Sequence, residues 1–301
     1  MGRDRARRDG PGGPVGLAVV DKEAGCTSHD VVARCRRIFG ERRVGHAGTL
    51  DPDATGVLLV GVGNLTRVLR FLTGLGKTYE AEIVLGTATT TLDASGDVVG
   101  QWDMGLVTVD DVRRAAASLT GRIEQVPPMV SALKVGGRRL HELARAGVEV
   151  ERRPRPVTVD RFEVFPGTAA HRFRAVIECS AGTYVRSLAA DLGTALGGGA
   201  HVGGLCRTRV GSFGRDEAHR IADLSVENLL TPVEAVRDMA RVDVDEATAA
   251  RVLHGGDLDR ARLGAHGPGP WALVDPAGGL VAVYEAADAG RMVAACVLAA
   301  T

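Results

Sequence analysis

Short apolar runs and amphipathic segments alternate along the first sixty residues. VGLAVVDK, residues 15–22, is an apolar run typical of a strand. After a Glu-Ala-Gly turn, Thr27 or Ser28 is placed to cap a helix that continues to Phe39. The helical spacing predicts an inward face made of Val31, Val32, Cys35 and Ile38. A turn rich in Gly and Pro, HAGTLDPDATG, then leads into a second apolar strand, residues 57–60.

The middle of the chain carries both strand and helix periods. KTYEAEIVLG alternates, which predicts a strand whose inward residues are Tyr79, Ala81, Ile83 and Leu85. ATTTLDASGD predicts a polar loop, and Thr108 to Gly121 predicts a capped helix. RPVTVDRFEVF and FRAVIECSAG predict two more strands. The helix in TYVRSLAADLGTALGGG should bury Val185, Leu188, Ala189, Leu192 and Leu196.

Two further segments complete the architecture. Residues of about 124–153, with a Pro pair, a Gly pair and many basic side chains, predict an arm that projects from the body. The last sixty residues give a helix, DEATAARVLHGG, and short strands WALVD, LVAVYEA and MVAACVLA, a pattern that suits a small β-barrel. The sequence therefore predicts an α+β body with a mixed, largely antiparallel sheet and a barrel-like C-terminal domain.

Composition narrows the class of protein. The 301 residues are 45% hydrophobic and 25% charged, which is typical of a soluble globular chain, and no apolar run is long enough to span a membrane. Residues 1–13 have no apolar segment of a secretion signal and predict a disordered basic tail. Five cysteines without CxxC spacing argue against a disulfide framework or a zinc site and favour a reducing cytoplasm.

Charge is balanced overall but unevenly distributed. The formal net charge is zero, yet three basic runs flank the Gly- and Pro-rich turn. A solvated helix face explains any single run, whereas three runs together favour a polyanionic partner. The runs are Arg34, Arg36, Arg37, Arg42 and Arg43; Lys134, Arg138, Arg139, Arg145, Arg152, Arg153 and Arg155; and Arg207, Arg209 and Arg215.

Asp51, in that turn, is the candidate for chemistry, and the residues alone leave four interpretations open. It could bind a metal with His46 and Asp53, although no further ligand is close in sequence. GVLLVGVGNLT could be a nucleotide-binding strand and turn, although the third glycine of that motif is missing. A lone carboxylate can also act as a nucleophile when a cation orients it. Finally, Asp51 could simply cap its turn through its side chain.

Longer motifs favour the nucleophile. HAGTLDPDATGVL closely resembles the catalytic motif of the TruB family of tRNA pseudouridine synthases. KTYEAEIVLG, the arm, CSAGTYVRSLAADLG and GGGAHVGGLCRTRVGSF resemble further family segments in the same order. The resemblance runs from residue 19 to about residue 235, and more loosely through the C-terminal RNA-binding module. It implies isomerisation of the T-loop uridine, position 55 of tRNA, without cofactor or metal.

The resemblance also assigns roles around the cavity. Asp51 would be the nucleophile, attacking either the sugar C1′ or uracil C6. Tyr79 would stack on the flipped uracil and help to remove the C5 proton. Arg186 would pair with Asp51, Tyr184 would hydrogen-bond in the same pocket, and Leu205 would pack against the base.

Other residues would contact the substrate or the rest of the RNA. His46 would enter the T-loop and take the place of the flipped base, and Lys22 would bind substrate. Contacts with the RNA backbone would come from Arg42, Arg43, Lys134, Arg138 and Arg139. One departure from the family pattern is Glu23, which stands where the family usually has proline after Lys22; it removes a restraint on the turn and adds a negative charge.

The sequence thus predicts a cytoplasmic, monomeric enzyme that acts on the T-arm of tRNA. The expected domains are a catalytic body, residues 14–238, and a PUA-like RNA-binding domain, residues 239–301. Two alternatives remain: an RNA-binding or tRNA-folding protein with secondary or no catalysis, and a synthase that works within a guide-RNA complex. The intact set of Asp51, Tyr79 and Arg186 favours the enzyme, and the absence of Lys-rich extensions favours one that works alone.

Overall fold

The structure, a computed structural model, describes residues 13–131, 134–135, 138–139, 148 and 150–298. Its α-helices are α1 Ser28–Phe39, α2 Leu69–Thr73, α3 Val109–Ser118, α4 Val185–Ala195, α5 Pro232–Ala235 and α6 Glu246–Leu253. Its strands are β1 Gly16–Lys22, β2 Val44–Ala47, β3 Thr55–Val62, β4 Lys77–Leu85, β5 Thr87–Thr89, β6 Val98–Gln101, β7 Gly121–Gln125, β8 Lys134–Val135, β9 Arg138–Arg139, β10 Arg155–Pro166, β11 Arg172–Cys179, β12 Ala200–Val210, β13 Phe213–Gly214, β14 His219–Arg220, β15 Ala240–Asp243, β16 Leu258–Asp259, β17 Trp271–Val274, β18 Leu280–Ala286 and β19 Arg291–Val297. Short 3-10 helices lie at Gly63–Val68, Arg215–Glu217, Ile221–Asp223, Val226–Asn228 and Asp288–Gly290.

One large sheet forms the body. Among the described residues it contains ten strands, eight of them in the order β14-β1-β3-β12-β4-β11-β10-β7, with β2 on β3 and β13 on β12. Only β1–β14 and β3–β12 are parallel pairs within this described sheet. The prediction of an α+β body with a mixed, largely antiparallel sheet is therefore confirmed.

Burial explains the two strand patterns in the sequence. In β1, Leu17 and Val19 face one apolar core and Ala18 and Val20 face another, so the run is apolar on both faces. In β4 the alternating residues predicted to face inward, including Tyr79, are all buried. The strand β4 therefore has one face towards the core and one towards solvent.

Helix α1 follows the predicted pattern with one exception. Thr27 caps it: its hydroxyl oxygen accepts a hydrogen bond from the Asp30 N–H, and the Asp30 carboxylate accepts one from the Thr27 N–H. Ile38 was predicted to face the core, but 39% of it is exposed, because Phe39 takes the buried position at the end of the helix. The helical period therefore fails at the last turn.

Two segments differ from the sequence-based expectation. The polar loop predicted over 88–97 begins within strand β5 and ends just before strand β6. These two strands pair as a small hairpin, so the loop is partly structured. The Gly-rich stretch of 197–213, which carried no strand signal, forms the central strand β12. Strand β12 bonds to β4 on one side and to β3 on the other, with two register shifts along β4.

The C-terminal residues form a second, curled sheet of five strands in the order β15-β17-β18-β19-β16, a half-barrel as expected for a PUA-like unit. Its own core contains Trp271 and Tyr284. A different core joins it to the body, because Leu280 and Val283 pack with residues of β1 and β3. No described helix is long and apolar enough to cross a membrane.

Candidate active site

The loop that carries Asp51 connects β2 to β3 and is held from below by Lys22. The Lys22 ammonium is fully buried at the end of β1 and donates to the carbonyl oxygens of Glu23 at 2.9 Å, Pro52 at 2.8 Å and Ala54 at 2.7 Å. All three of its N–H groups are therefore used on backbone. The structure does not bring Lys22 to the cavity surface described below. Lys22 instead ties Pro52 and Ala54, which follow Asp51 in the loop, to the sheet.

Two other elements hold the same loop. The hydroxyl of Ser28, the first residue of α1, accepts from the Leu50 N–H at 2.9 Å and donates to the Leu50 carbonyl at 3.2 Å. The buried guanidinium of Arg207, on β12, donates to the Gly48 carbonyl at 2.9 Å. A strand, a helix and the central strand thus fix the backbone on both sides of Asp51.

The Asp51 carboxylate forms a two-point ion pair with Arg186. Arg186 Nη2 donates to Asp51 Oδ1 and Arg186 Nε lies against Asp51 Oδ2, each at 3.0 Å. The remaining arginine donors reach the Thr91 carbonyl at 2.9 Å, the Val130 carbonyl at 2.8 Å and Asp93 Oδ2 at 3.4 Å. The arginine side chain is 5% exposed and the Asp51 side chain 40%. The guanidinium is locked in place, whereas the carboxylate keeps a face open to a ligand.

Opposing effects set the protonation of Asp51. Burial raises the pKa of its carboxyl above the ordinary value, and the guanidinium of Arg186 opposes that rise. The Asp93 carboxylate raises the pKa further. The turn itself is closed by the Ala54 N–H on the Asp51 carbonyl at 3.2 Å, while the carboxylate faces Arg186. The side chain is thus directed at a cation rather than at its own turn.

Two adjoining cavities meet at this ion pair, and Asp51, Arg186 and Leu205 line both. The larger, about 310 Å³, is lined also by Tyr79 and Tyr184. The structure therefore brings together five of the residues that the sequence singled out, from four separate parts of the chain. The smaller, about 200 Å³, extends towards the loop between β5 and β6.

The larger cavity has a basic, largely buried floor. Burial raises the pKa of the Tyr79 hydroxyl, opposed by the guanidinium of Arg207, so the phenol keeps its proton at neutral pH. Burial and the same Arg207 lower the pKa of Lys77 to about 8. The Lys77 ammonium donates to the carbonyls of Thr73 and Leu75, at the end of α2. These cations suit an anionic ligand.

Comparison with known proteins identifies the family of the chain. A model of the TruB family pseudouridylate synthase N-terminal domain matches residues 36–185, and a model of the tRNA pseudouridylate synthase B C-terminal domain matches residues 186–239. A tRNA pseudouridine synthase B of Mycobacterium sp. (strain KMS) is 48% identical over 276 residues, which cover 90% of this chain and 92% of the relative. The chain belongs to the TruB family of pseudouridine synthases. It is an RNA isomerase.

Other relatives support the family assignment. The tRNA pseudouridine synthase B of Rhodococcus jostii (strain RHA1) is 47% identical over 279 residues, covering 90% of both chains. A chain in a crystal structure of a Cbf5–Nop10–Gar1 complex matches with a TM-score of 0.74 and 28% identity, over 94% of this chain and 84% of that one. The structural likeness thus covers nearly the whole chain.

His46 lies outside the two cavities of the synthase, on β2. Its ring packs edge-on against that of His29, with the ring centres 5.5 Å apart. Burial, with the neighbouring His29 and Arg207, lowers the pKa of His46 to about 4, so the imidazole is neutral. Its Nδ1 atom is buried without a hydrogen-bond partner.

The candidate RNA contacts are described in part. Arg42 and Arg43 are exposed next to β2, and Arg43 donates to Asn64 at 2.6 Å and pairs with Glu41. Glu23, the departure from the family pattern, is exposed and lines neither cavity.

Part of the predicted arm, at 132–133, 136–137, 140–147 and 149, lies outside the described residues, as does nearly all of the N-terminal tail. Of the arm's basic positions, Lys134 in β8 pairs with Arg139 in β9, an antiparallel strand that also contains Arg138. The structure describes the backbone of these three residues but not their side chains.

Asp93 is a residue of the site that the sequence did not single out. It lies in the β5–β6 connection, 3.4 Å from Arg186, and its Oδ1 atom accepts from the Thr91 hydroxyl at 2.6 Å and the Ser95 hydroxyl at 2.6 Å. The sequence offers one signal, an aspartate with hydroxyl residues two positions before and after it, which is typical of a side chain held in a turn. Nothing in that signal points to Arg186.

Proposed function

We propose that this synthase converts the uridine at position 55, in the T-loop of tRNA, into pseudouridine, with Asp51 as the nucleophile. The observation that carries the proposal is the two-point pair between Asp51 and Arg186 at the edge of a cavity lined by Tyr79, Tyr184 and Leu205. The relatives' names, tRNA pseudouridine synthase B, support tRNA as the substrate.

The proposed reaction needs only the chain's own side chains. Asp51 attacks the target nucleotide, at C1′ of the sugar or C6 of the uracil, and the bond between N1 and C1′ breaks. The uracil turns, its C5 atom bonds to C1′, and the bond to Asp51 breaks, so that the free carboxylate returns. The hydrogen on C5 leaves as a proton and N1 takes up a proton, which leaves the product an isomer of the substrate. Arg186 favours the ionised carboxylate against the burial that raises its pKa. Tyr79, which carries its own proton, would stack on the base and take part in the C5 proton transfer only by passing its proton on.

Extrusion of the uridine from the folded T-loop is the costly step before chemistry. Base flipping costs a few kcal/mol. The neutral ring of His46, close to the exposed Arg42 and Arg43, is proposed to fill the gap in the loop while the arginines contact phosphates. The basic arm, with Lys134, Arg138 and Arg139, is proposed to hold the T-arm by its shape and phosphates.

The remaining assignments are part of the same proposal. Residues 14–238 would carry the chemistry and residues 239–301, whose sheet begins with β15, would bind further along the RNA. The enzyme would work as a monomer in the cytoplasm, a compartment that suits its five unpaired cysteines. Sedimentation of the protein with and without tRNA tests the monomer.

The decisive experiment measures tritium release from a tRNA transcript labelled at uracil C5. The native protein should release tritium from a transcript with uridine at position 55 and lose that release when position 55 is cytidine. Asp51→Asn should release none while binding tRNA, and Asp97→Asn, a matched change at an exposed aspartate, should behave as the native protein. Binding without release by the native protein would instead support the RNA-binding or tRNA-folding alternative.

A further inference from the structure

The start of helix α4, which carries Arg186, lacks the side-chain cap that α1 and α3 have. Its N-cap residue, Tyr184, makes no capping hydrogen bond with its own side chain. Instead the amide of Gln125, at the end of β7, holds the Tyr184 backbone from outside the helix. The Tyr184 N–H donates to Gln125 Oε1 at 2.7 Å, and Gln125 Nε2 donates to the Tyr184 carbonyl at 3.0 Å.

This amide pair is buried and uses both ends of one side chain. Gln125 is 2% exposed, so neither of its bonds is easily replaced by water. The Tyr184 carbonyl accepts also from the Leu188 N–H of the first helical turn, at 3.1 Å. Gln125 therefore fixes the position from which α4 begins, and with it the two residues, Tyr184 and Arg186, that line the active-site cavity.

The residues that follow Gln125 in the chain, Val126 to Val130, are held by the first turn of α4. The Ser187 hydroxyl donates to the Val126 carbonyl at 3.0 Å, and Arg186 Nη2 donates to the Val130 carbonyl at 2.8 Å. That Nη2 atom is also the one that donates to Asp51 Oδ1. The segment 125–130 is thus fastened to the catalytic helix at three points, immediately before the predicted RNA-binding arm continues.

The other end of the arm returns to the same segment. Arg152 Nη1 donates to the Pro127 carbonyl at 3.0 Å, and β10, which follows Arg152, pairs with β7. A displacement of the arm at either end is therefore transmitted to the residues that touch Arg186. Gln125 is the buried point about which that segment is held.

We propose that Gln125 is a positioning residue, which fixes the start of α4 and joins the base of the arm to the Arg186–Asp51 ion pair. The proposal rests on the function proposed above. Gln125 touches no substrate; its effect passes through Tyr184 and Arg186. Its loss should slow the chemical step by misplacing the ion pair while leaving most of the RNA-binding surface unchanged.

Two near-isosteric variants test this. Gln125→Glu keeps an acceptor for the Tyr184 N–H but sets a second oxygen against the Tyr184 carbonyl, and Gln125→Met keeps the volume and removes both bonds. Because a misplacement of about 1 Å can cost about a hundredfold in rate, we expect single-turnover tritium release at saturating tRNA to slow by about tenfold to a hundredfold in both. The Kd for tRNA should stay within about threefold of the native value. Gln101→Glu, at the exposed end of β6, is the matched control.

The outcomes separate the two proposals. The positioning role would be overturned if both Gln125 variants released tritium as fast as the native protein. If Asp51→Asn were inactive in the same assay, the proposed function would still stand. A loss confined to Kd, with a native rate at saturation, would also overturn it, because Gln125 would then serve the arm alone. No release even by the native protein would reject the proposed function itself.

Ser187→Ala keeps the inference testable if the Gln125 variants fold poorly. It removes one hydrogen bond to the same segment and should slow the single-turnover rate in the same direction, by a smaller factor. When combined with Gln125→Met, the two rate losses should be less than multiplicative, because both changes loosen one contact region. A Ser187→Ala protein with the native rate would count against the coupling.

Discussion

Replacing Lys22 tests whether this residue binds substrate or supports the structure of the loop. Replacing it with methionine keeps most of the side-chain volume and removes the ammonium that bonds to three carbonyls. The Pro52 carbonyl would still accept from the Gly25 N–H at 3.0 Å, and Glu23 is exposed, but the Ala54 carbonyl lies in a buried environment. The variant therefore leaves one carbonyl without a partner and weakens a second.

The magnitude follows from these contacts. An unpaired buried carbonyl costs about 1–3 kcal/mol, and the desolvation of the removed ammonium offsets part of what is lost. We expect Lys22→Met to lower the free energy of unfolding by about 2–4 kcal/mol. Because Pro52 and Ala54, which Lys22 holds, closely follow Asp51 in the loop, single-turnover tritium release should also slow, by up to about a hundredfold for a shift of about 1 Å.

Urea unfolding, tRNA binding and single-turnover release on the same preparation distinguish the roles. The expected result is lower stability, slower release and a nearly native Kd for tRNA. Glu23→Gln, at the exposed neighbouring residue, should change stability by less than about 0.5 kcal/mol. A Lys22→Met protein that unfolds like the native one but binds tRNA far more weakly would refute the structural role and restore Lys22 to the substrate.

Three further outcomes are expected. Asp93→Asn should slow single-turnover release roughly tenfold, because it removes a charged anchor of the Arg186 guanidinium, and this loss of positioning outweighs the lower pKa that Asp51 gains; a native rate, equal to that of Asp97→Asn, would contradict this. The pKa of His46 is about 4 in the fold and near 6.5 when unfolded, so its contribution to stability is complete above pH 6.5 and is lost as the pH falls towards 4. Between pH 7 and pH 4, the free energy of unfolding measured in urea should therefore fall by about 2–3 kcal/mol less for His46→Gln than for the native protein. Identical losses would show that the imidazole is not buried as described. Gly56→Ala should lower stability by at least about 2 kcal/mol, since its φ is +97° and a Cβ atom would clash with the Arg207 carbonyl oxygen of β12; a native melting temperature would exclude that contact.

The periodicity of the sequence predicted those elements whose burial is regular. Helix α1 and strand β4 carry clean patterns, and both form where expected. Strand β12 could not be predicted in the same way, because Gly203 and Gly204 interrupt its apolar pattern and a register shift between β12 and β4 lies at the same place. Its strand conformation depends on β3 and β4 on either side, which no local pattern encodes.

The candidate site was predictable to the extent that motifs carried it. The motifs singled out Asp51, Tyr79 and Arg186, and the structure brings them together, but they could not give the function of a residue whose partners are remote in sequence. Lys22 and Asp93 are two residues whose positions the motifs did not predict. Lys22 was expected at the substrate and lies beneath the loop, and Asp93 was placed in a polar loop and lies against Arg186.

The core shared by the body and the half-barrel has a consequence for how the molecule melts. Leu280 and Val283 belong to the same buried apolar cluster as Leu17 of β1 and Leu59 of β3, and Arg67 donates to the Val297 carbonyl at 2.6 Å across the same junction. A protein ending at residue 238 would lose Leu280 and Val283 and expose to water the part of this cluster that they contact. Calorimetry of the full chain should therefore show a single unfolding transition, in which the calorimetric enthalpy equals the van't Hoff enthalpy.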